Sequence, residues 1–101
     1  MWLFCFFDLP VGSKAQRRAA TNFRKHLKSD GFIMLQWSVY ARLCRGEDGS
    51  EKHVERLYAA MPNEGSIRCL RVTDKQYARM RLVLGTAKKS EEKGANQLVL
   101  L

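Results

Sequence analysis

The stretch Trp2-Leu3-Phe4-Cys5-Phe6-Phe7-Asp8-Leu9-Pro10 contains six consecutive apolar residues, then one carboxylate and a proline breaker. Because a half-exposed strand alternates polar and apolar side chains, this uninterrupted run predicts a central strand that is buried on both faces. Successive side chains of a strand point to opposite faces. The expected division is Leu3, Cys5 and Phe7 on one face, and Trp2, Phe4, Phe6 and Asp8 on the other.

The composition fits one compact domain. The chain has 101 residues, of which 46% are hydrophobic, enough for a modest core. The first apolar run is too short to span a bilayer, has no basic segment before it and is interrupted by Asp8 and Pro10, which argues against a signal peptide. We therefore expect a cytoplasmic protein without a membrane partner.

Charge and cysteine usage narrow the range of partners. The formal net charge is +8 and the isoelectric point is about 9.8, which favours a polyanionic partner, with nucleic acid ahead of an acidic membrane or protein. Cys5, Cys44 and Cys69 are odd in number, widely spaced and without a Cys-x-x-Cys pair. Buried free thiols are therefore expected in preference to a disulfide or a zinc site.

The first half of the chain predicts a helix and a hairpin after the first strand. Ser13 and Gln16 form a capping-box pattern, so a helix is expected to follow and to end at Asp30-Gly31, with Ala20, Phe23 and Leu27 as its apolar stripe. Residues 32–35 and 39–44 are predicted strands, joined by a bend at residues 36–38.

The second half predicts one more helix and further strands. A loop at residues 45–49 is expected to precede a helix capped by Ser50 and ended by Pro62. Its predicted apolar face consists of Val54, Leu57, Tyr58 and Met61. Residues 67–73 are a predicted strand, Thr73 and Gln76 can cap a short helical turn through Tyr77, and residues 79–84 are a predicted strand ending at Gly85.

This order of elements is β-α-β-β-α-β. It predicts an α+β, ferredoxin-like antiparallel sheet with both helices on one face and an appended C-terminal strand. Residues 1–85 would form the ferredoxin-like domain, and residues 86–101 a polar linker and terminal strand of the same domain. Since the first strand is apolar on both faces, the open face is expected to be buried against a second copy of the chain, as a homodimer.

Asp8 is the main candidate for chemistry. As an acid before Leu-Pro it fits a turn or helix-capping carboxylate. It also fits metal coordination, because Mg²⁺ is often held by one or two carboxylates together with substrate phosphates. A twofold axis through the open face would bring two Asp8 carboxylates close together and so form such a site.

The predicted first helix is unusually basic. Its six positive charges are not interrupted by any Asp or Glu between Ser13 and Ser29. A helix face that is merely exposed to solvent usually carries both positive and negative charges. The purely positive face of this helix therefore favours binding of an anionic ligand over simple exposure to solvent. The residues expected to contact phosphates are Lys14, Arg17, Arg18, Arg24 and Lys28.

Several other side chains allow two interpretations. His26 and His53 are expected to be surface histidines, with a general-base role as the alternative. Ser38 and Tyr40 could orient Asp8 or a phosphate, or could simply pack in a hairpin. The aromatic residues Trp2, Phe4, Phe6 and Trp37 are expected to form a self-association core in preference to base-stacking platforms.

The end of the chain, Gln97-Leu98-Val99-Leu100-Leu101, is an apolar strand after a polar tether. It could complete the sheet of its own subunit or of a dimer mate. Strand addition to a partner protein is the functional alternative.

Four ordered motifs make the chain resemble a known family. They are Phe7-Asp8-Leu9-Pro10, Arg17-Arg18, Gly31-Phe32-Ile33-Met34-Leu35-Gln36 followed by Ser38-Val39-Tyr40, and Thr73-Asp74-Lys75-Gln76-Tyr77. With these motifs the chain resembles, over nearly its whole length, the CRISPR-associated adaptation protein Cas2, in the form that accompanies systems with a single large effector nuclease.

The resemblance implies a ferredoxin-like homodimer, metal-dependent endonuclease activity on RNA or duplex DNA, and a central position between two dimers of the integrase Cas1 in spacer acquisition. By the same resemblance, Asp8 would be the catalytic acid and bind Mg²⁺ or Mn²⁺, and Arg17 and Arg18 would hold the duplex backbone. The segment implied to contact the integrase is Leu98, Val99, Leu100 and Leu101.

Two functions from different classes follow. One is a nuclease in which metal held between two Asp8 carboxylates activates water. The other, which we favour, is a non-catalytic scaffold whose basic helices hold duplex DNA, because one acid per chain offers little for hydrolysis whereas the basic face suits DNA. A metal-dependent ribonuclease toxin on the same fold is a third alternative.

Overall fold

The sheet is built around the apolar first strand. The computed structural model describes residues 1–85, which contain four strands and three helices. In chain order these are β1 (Trp2–Asp8), α1 (Lys14–Ser29), β2 (Ile33–Gln36), β3 (Val39–Leu43), α2 (Gly46–Ala60), β4 (Ser66–Val72) and α3 (Asp74–Ala78). The strand order is β2-β3-β1-β4 with antiparallel pairs throughout, so the predicted α+β, ferredoxin-like arrangement is confirmed. The predicted linker and C-terminal strand, residues 86–101, lie outside the described residues.

The two faces of β1 divide as the alternation predicts. Leu3, Cys5 and Phe7 are buried in the main core together with Phe23 and Leu27 of α1 and Leu57 of α2. The ring of Phe23 meets Phe7 edge-on at 5.2 Å between centroids. Aromatic pairs favour this geometry because the edge of one ring is attracted to the face of the other. This face of the sheet is therefore covered by α1 and α2.

Helix α1 begins and ends at the predicted signals. Ser13 Oγ accepts from the Gln16 amide at 3.1 Å, and the Gln16 side chain accepts from the Ser13 amide. At the other end Gly31 has φ of 85°, and the Phe32 amide donates to the Leu27 carbonyl at 2.9 Å. A left-handed residue after the helix allows this bond, and glycine adopts that conformation without a steric penalty.

Helix α2 begins earlier than predicted. It starts at Gly46, so the predicted loop over residues 45–49 and the cap at Ser50 are wrong. Ser50 is buried inside the helix, where its hydroxyl donates to the Glu47 carbonyl at 2.7 Å and accepts from Arg71 Nε at 2.6 Å. Acids in the first turn, Glu47 and Asp48, favour this start because the N-terminus of a helix carries a partial positive charge.

The buried face of α2 also differs from the prediction. Its buried residues are Ser50, His53 and Leu57, with Val54 half-buried. Tyr58 and Met61, predicted for that face, are exposed. The buried stripe of α2 is therefore partly polar, because Ser50 bonds to Arg71 of β4 and His53 bonds to Asp30.

Residues 79–84 do not form the predicted strand. The amide of Arg79 donates to the Lys75 carbonyl and the amide of Met80 to the Tyr77 carbonyl, so these groups end α3 and are not available to a sheet. Leu82, Val83 and Leu84 are exposed. The short helix itself, with its capping box of Thr73 and Gln76, is confirmed.

The second face of the sheet is covered partly by the chain itself. Tyr77 of α3 stacks on Trp2, with ring centroids 3.9 Å apart and an angle of 7° between the planes. Trp2 is therefore only 3% exposed within one subunit. Both predicted helices pack on the first face, as expected, and α3 adds cover on the second face, where Phe4, Phe6 and Leu70 stay partly or largely exposed.

Two further sequence predictions concern thiols and membranes. Cys5 and Cys44 are buried free thiols as expected, but Cys69 on the edge strand β4 is exposed. Across residues 1–85, every helix falls short of the length and apolar character that crossing a bilayer requires.

Candidate nucleic-acid interface

Asp8 lies at the carboxyl end of β1, opposite Ser66 of β4. Its side chain is exposed. No ion pair or side-chain hydrogen bond joins its carboxylate to any part of residues 1–85. The acid is therefore available to a ligand from outside the subunit, and the alternative of a capping carboxylate finds no partner in that range.

Two tight turns flank Asp8. On one side Gly65, with φ of 99°, approaches so closely that an added Cβ would lie 2.6 Å from the Asp8 carbonyl oxygen. On the other side the Phe7 amide donates to the Ser38 carbonyl at 3.1 Å, and Ser38 itself has φ of 65°. Only glycine tolerates both the contact and the positive φ at residue 65. These turns set the position of the strand end that carries Asp8.

Tyr40 packs in the core and does not orient Asp8. It pairs with Cys5 and is buried, and its ring lies 5.6 Å from the ring of Phe7 on the helix-covered face. Asp8 follows Phe7 and so points to the opposite face. Of the two hydroxyl residues considered, only Ser38 lies beside the end of β1, through its backbone.

Helix α1 presents a continuous basic stripe. Its members are Lys14, Arg17, Arg18, Lys25 and Lys28, all exposed. Their separations of three, four and seven residues place them within about 100° of helix circumference, opposite the buried Phe23. The stripe extends for about 21 Å at 1.5 Å per residue.

No acidic side chain neutralises this stripe within the described chain. The ion pairs of residues 1–85 are Met1–Asp74, His53–Asp30, Arg56–Asp30 and Arg71–Glu51. None of them involves α1. Arg17 instead donates to the Val11 carbonyl at 3.2 Å, which holds it beside the loop after Asp8. Five neighbouring like charges repel one another, so an anion on this surface would stabilise it.

Arg24 is placed differently from the other predicted phosphate contacts. It is half-buried, and its guanidinium carbon lies 4.0 Å from the Trp37 ring centroid and 5.4 Å from that of Phe7. The predicted contact list therefore mixes one stacked arginine with four exposed cations. It also omits Lys25, which the helical period from Arg18 and Lys28 could have identified.

The second charged cluster of the molecule lies at the other end of α1. Asp30 receives His53 Nδ1 at 2.7 Å and Arg56 Nη1 at 2.6 Å. Burial alone would raise the pKa of Asp30, but the hydrogen bonds from His53 and Arg56 outweigh it and lower that pKa below its ordinary value. The prediction of a surface His53 is wrong, because Asp30 gives it a buried partner. His26 is half-buried in the last turn of α1.

The donor set around Asp8 fits a shared metal site better than a site within one subunit. No group of three or more His, Cys, Asp or Glu side chains in residues 1–85 is arranged to hold a metal ion. A single exposed carboxylate without a competing partner matches what Mg²⁺ commonly uses, since that ion keeps several waters and takes one or two carboxylates. A second acid would have to come from another copy.

Comparison with known proteins gives a consistent result. Residues 1–80 match the family model described as CRISPR associated protein Cas2. A protein named CRISPR-associated endoribonuclease Cas2 from Acidovorax ebreus is 50% identical over 101 residues, covering 99% of each chain. Proteins of the same name from Parvibaculum lavamentivorans and Flavobacterium psychrophilum are 39% and 38% identical over 99% of this chain, and over 99% and 87% of their own lengths.

Proposed function

This chain belongs to the CRISPR-associated protein Cas2 family, and from that premise we propose that it is a CRISPR adaptation subunit, a homodimer that binds duplex DNA and bridges dimers of the integrase Cas1 during spacer acquisition. The observation that carries the proposal is the basic stripe of α1, with five exposed cations and no acidic partner in residues 1–85. Such a surface binds a phosphate backbone with little dependence on sequence, which suits the capture of DNA fragments of any origin.

A homodimer accounts for the apolar side chains left on the second face of the sheet. Phe4 and Phe6 are only half-covered, and Leu70, opposite Phe4 in the register, is 54% exposed. Burying them against the same face of a second copy would remove this apolar surface from water. Asp8 shares that face, so a twofold axis there brings the two carboxylates toward each other.

A second function, hydrolysis of RNA or DNA, is favoured by the exposed Asp8, whose carboxylate has no ion pair or side-chain hydrogen bond within residues 1–85. The relatives compared above carry the name endoribonuclease. Asp8 from each of two copies would hold Mg²⁺ or Mn²⁺, and such an ion, when bound, supplies charge stabilisation for a phosphodiester and an activated water. This chain would contribute the carboxylates that bind the metal, and its basic stripe would bind the nucleic acid. A ribonuclease toxin on the same fold would use the same acid without an integrase partner.

The integrase contact is proposed for Leu98, Val99, Leu100 and Leu101, which lie outside the described residues. Deleting residues 97–101 and measuring co-purification with Cas1 tests that assignment. If the shortened chain still binds duplex DNA but no longer retains Cas1, the assignment holds. Retention of Cas1 at the level of the full chain contradicts it.

DNA binding is tested with a matched pair of variants. Arg17→Ala/Arg18→Ala removes two cations from the stripe, and Lys52→Ala/Lys75→Ala removes two exposed cations elsewhere for the same change in net charge. With about three phosphate contacts per subunit, the slope of log affinity against log salt is about −5 for the dimer. The slope should weaken to about −2 in the first variant and stay near −5 in the second. Equal slopes for the two variants would contradict a specific role for α1.

Asp8→Ala separates the scaffold from the nuclease. The scaffold predicts that spacer insertion continues while metal-dependent cleavage is lost. Loss of insertion in a variant that still folds and binds DNA would contradict the scaffold as the main role.

A further inference from the structure

Trp37 is a large aromatic side chain held at the surface. It occupies the turn between β2 and β3 and is 70% exposed. The other tryptophan, Trp2, is 3% exposed and stacked on Tyr77. An indole this exposed does not gain the free energy of burying its apolar surface. Packing in the core therefore does not explain why a tryptophan occupies this turn.

The orientation of Trp37 is fixed by Arg24. The guanidinium carbon lies 4.0 Å from the indole centroid and 5.4 Å from the Phe7 centroid, so the cation is held between the two rings. Arg24 Nε is buried without a hydrogen-bond partner in residues 1–85. The arginine therefore gives up a hydrogen bond to remain in the stack, where cation–π attraction stabilises it. One side of the indole is occupied and its remaining surface is open.

Trp37 belongs to the side of the sheet that carries α1. Arg24 is a residue of α1, and Phe7 points to the helix-covered face. The indole is therefore not part of the aromatic surface of Phe4 and Phe6 that a second copy would cover. Its contact on α1, Arg24, lies four residues before Lys28 and seven after Arg17 of the basic stripe, on nearly the same side of the helix. Through the Phe7–Ser38 backbone bond, the turn that carries Trp37 also adjoins the end of β1 that carries Asp8.

We propose that Trp37, supported by Arg24, is a stacking site for an unpaired nucleobase of a single strand whose backbone lies along the basic stripe. The inference rests on the proposed nucleic-acid function and adds to it a contact to bases. A preoriented aromatic ring next to cations is the arrangement by which proteins bind single-stranded nucleic acid. Arg24 acts as a positioning residue for the indole, which leaves the phosphates to the exposed cations of α1.

Binding of two oligonucleotides with equal phosphate number tests the proposal. One is a single-stranded RNA, and the other is the same length of abasic strand. The full-length protein should bind the base-containing strand more tightly, by roughly 5- to 150-fold for one stacked base. Trp37→Leu should remove this difference and leave the abasic affinity unchanged. Trp37→Phe, which keeps an aromatic ring, should retain most of it.

Tyr58→Leu is the matched control, since Tyr58 is 69% exposed on α2 but has no guanidinium on its ring among the described contacts. It should leave the preference for bases unchanged. If Trp37→Leu keeps the full preference, or if Tyr58→Leu reduces it equally, the proposal is wrong.

Tryptophan fluorescence supplies a second readout. Stacking of a base on Trp37 should quench the emission of the wild-type protein with the base-containing strand and not with the abasic strand. Trp37→Phe, in which only the buried Trp2 emits, should show no such quenching. Equal quenching by both strands would overturn the proposal.

Duplex DNA binding distinguishes failure of this inference from failure of the proposed function. If the protein binds duplex DNA through Arg17 and Arg18 but does not discriminate between the two single strands, the stacking site is refuted and the scaffold stands. If neither duplex nor single strands bind, both are refuted. Trp37→Leu should leave duplex affinity unchanged.

Discussion

Asp8 and Asp30 are both aspartates, one before and one after α1, but their carboxylates have different surroundings. Asp8 is exposed and has no ion pair in residues 1–85, whereas the Asp30 side chain is 7% exposed and bonded to both His53 and Arg56. Arg42 adds a further bond to the Asp30 backbone carbonyl at 2.6 Å. A carboxylate whose bonding capacity is used inside the fold stabilises it, and one left unpaired is available for function.

The largest effect is expected for Asp30→Ala. The substitution removes the hydrogen-bond partner of buried His53 and the ion-pair partner of Arg56, which should reduce the free energy of unfolding by about 3 kcal/mol. Denaturant unfolding measures this change. A loss below about 1 kcal/mol would mean that the two acids differ less than their surroundings indicate.

Gly65→Ala should have the next largest effect, on the Asp8 side of the comparison. Its Cβ would lie 2.6 Å from the Asp8 carbonyl oxygen and 2.8 Å from Leu9 Cδ2, at a φ of 99°. We expect a loss of about 2 kcal/mol in the free energy of unfolding and a displaced β1 end. Gly46→Ala is the control, because its φ is also positive but nothing lies within 4 Å of the added Cβ. Equal losses for both variants would assign the effect to backbone conformation alone.

The pH dependence of stability should reveal the contribution of the ionised Asp30 carboxylate. The pKa of Asp30 is lower in the folded than in the unfolded chain, so its stabilising contribution is complete above the unfolded value and is lost as the pH falls through the folded value. Unfolding of the wild type and Asp30→Asn should therefore differ most above about pH 5 and converge in strong acid. A constant difference across that range would contradict the contribution of the ionised carboxylate.

The smallest effect on stability is expected for Asp8→Ala. Because its side chain has no ion pair or hydrogen bond to lose in residues 1–85, the substitution should change the free energy of unfolding by less than about 0.5 kcal/mol. The same denaturant titration provides the measurement. A larger loss would show that Asp8 has a structural role and would remove the contrast with Asp30.

Local patterns predicted much of this fold correctly. The alternation in β1, the capping boxes of Ser13 with Gln16 and of Thr73 with Gln76, and the stop at Gly31 depend on residues within a few positions of one another. The basic stripe was also predictable, because helical spacing and charge are both visible in the sequence. The same spacing also places Lys25 in the stripe, although it is not among the predicted phosphate contacts.

The errors have long-range causes. The local sequence predicts a helix cap at Ser50, whereas its hydroxyl accepts from Arg71, 21 residues away, which no local pattern reveals. The sequence predicts a surface position for His53, because its partner Asp30 is 23 residues distant and the pairing is not visible locally. Residues 79–84 have strand-like composition, but their first amides end α3 and leave no ladder to join.

The order of elements, the division of β1 into two faces and the charge of α1 can all be predicted from the amino-acid sequence, because they follow from the period of a strand or helix and from side-chain ionisation. The tertiary structure was needed to show which of the two aspartates lacks an ion pair in residues 1–85, which arginine is stacked, and which side of the sheet carries Trp37. These depend on pairs of residues brought together from distant parts of the chain, and the free energy of a contact exists only when both partners are in place.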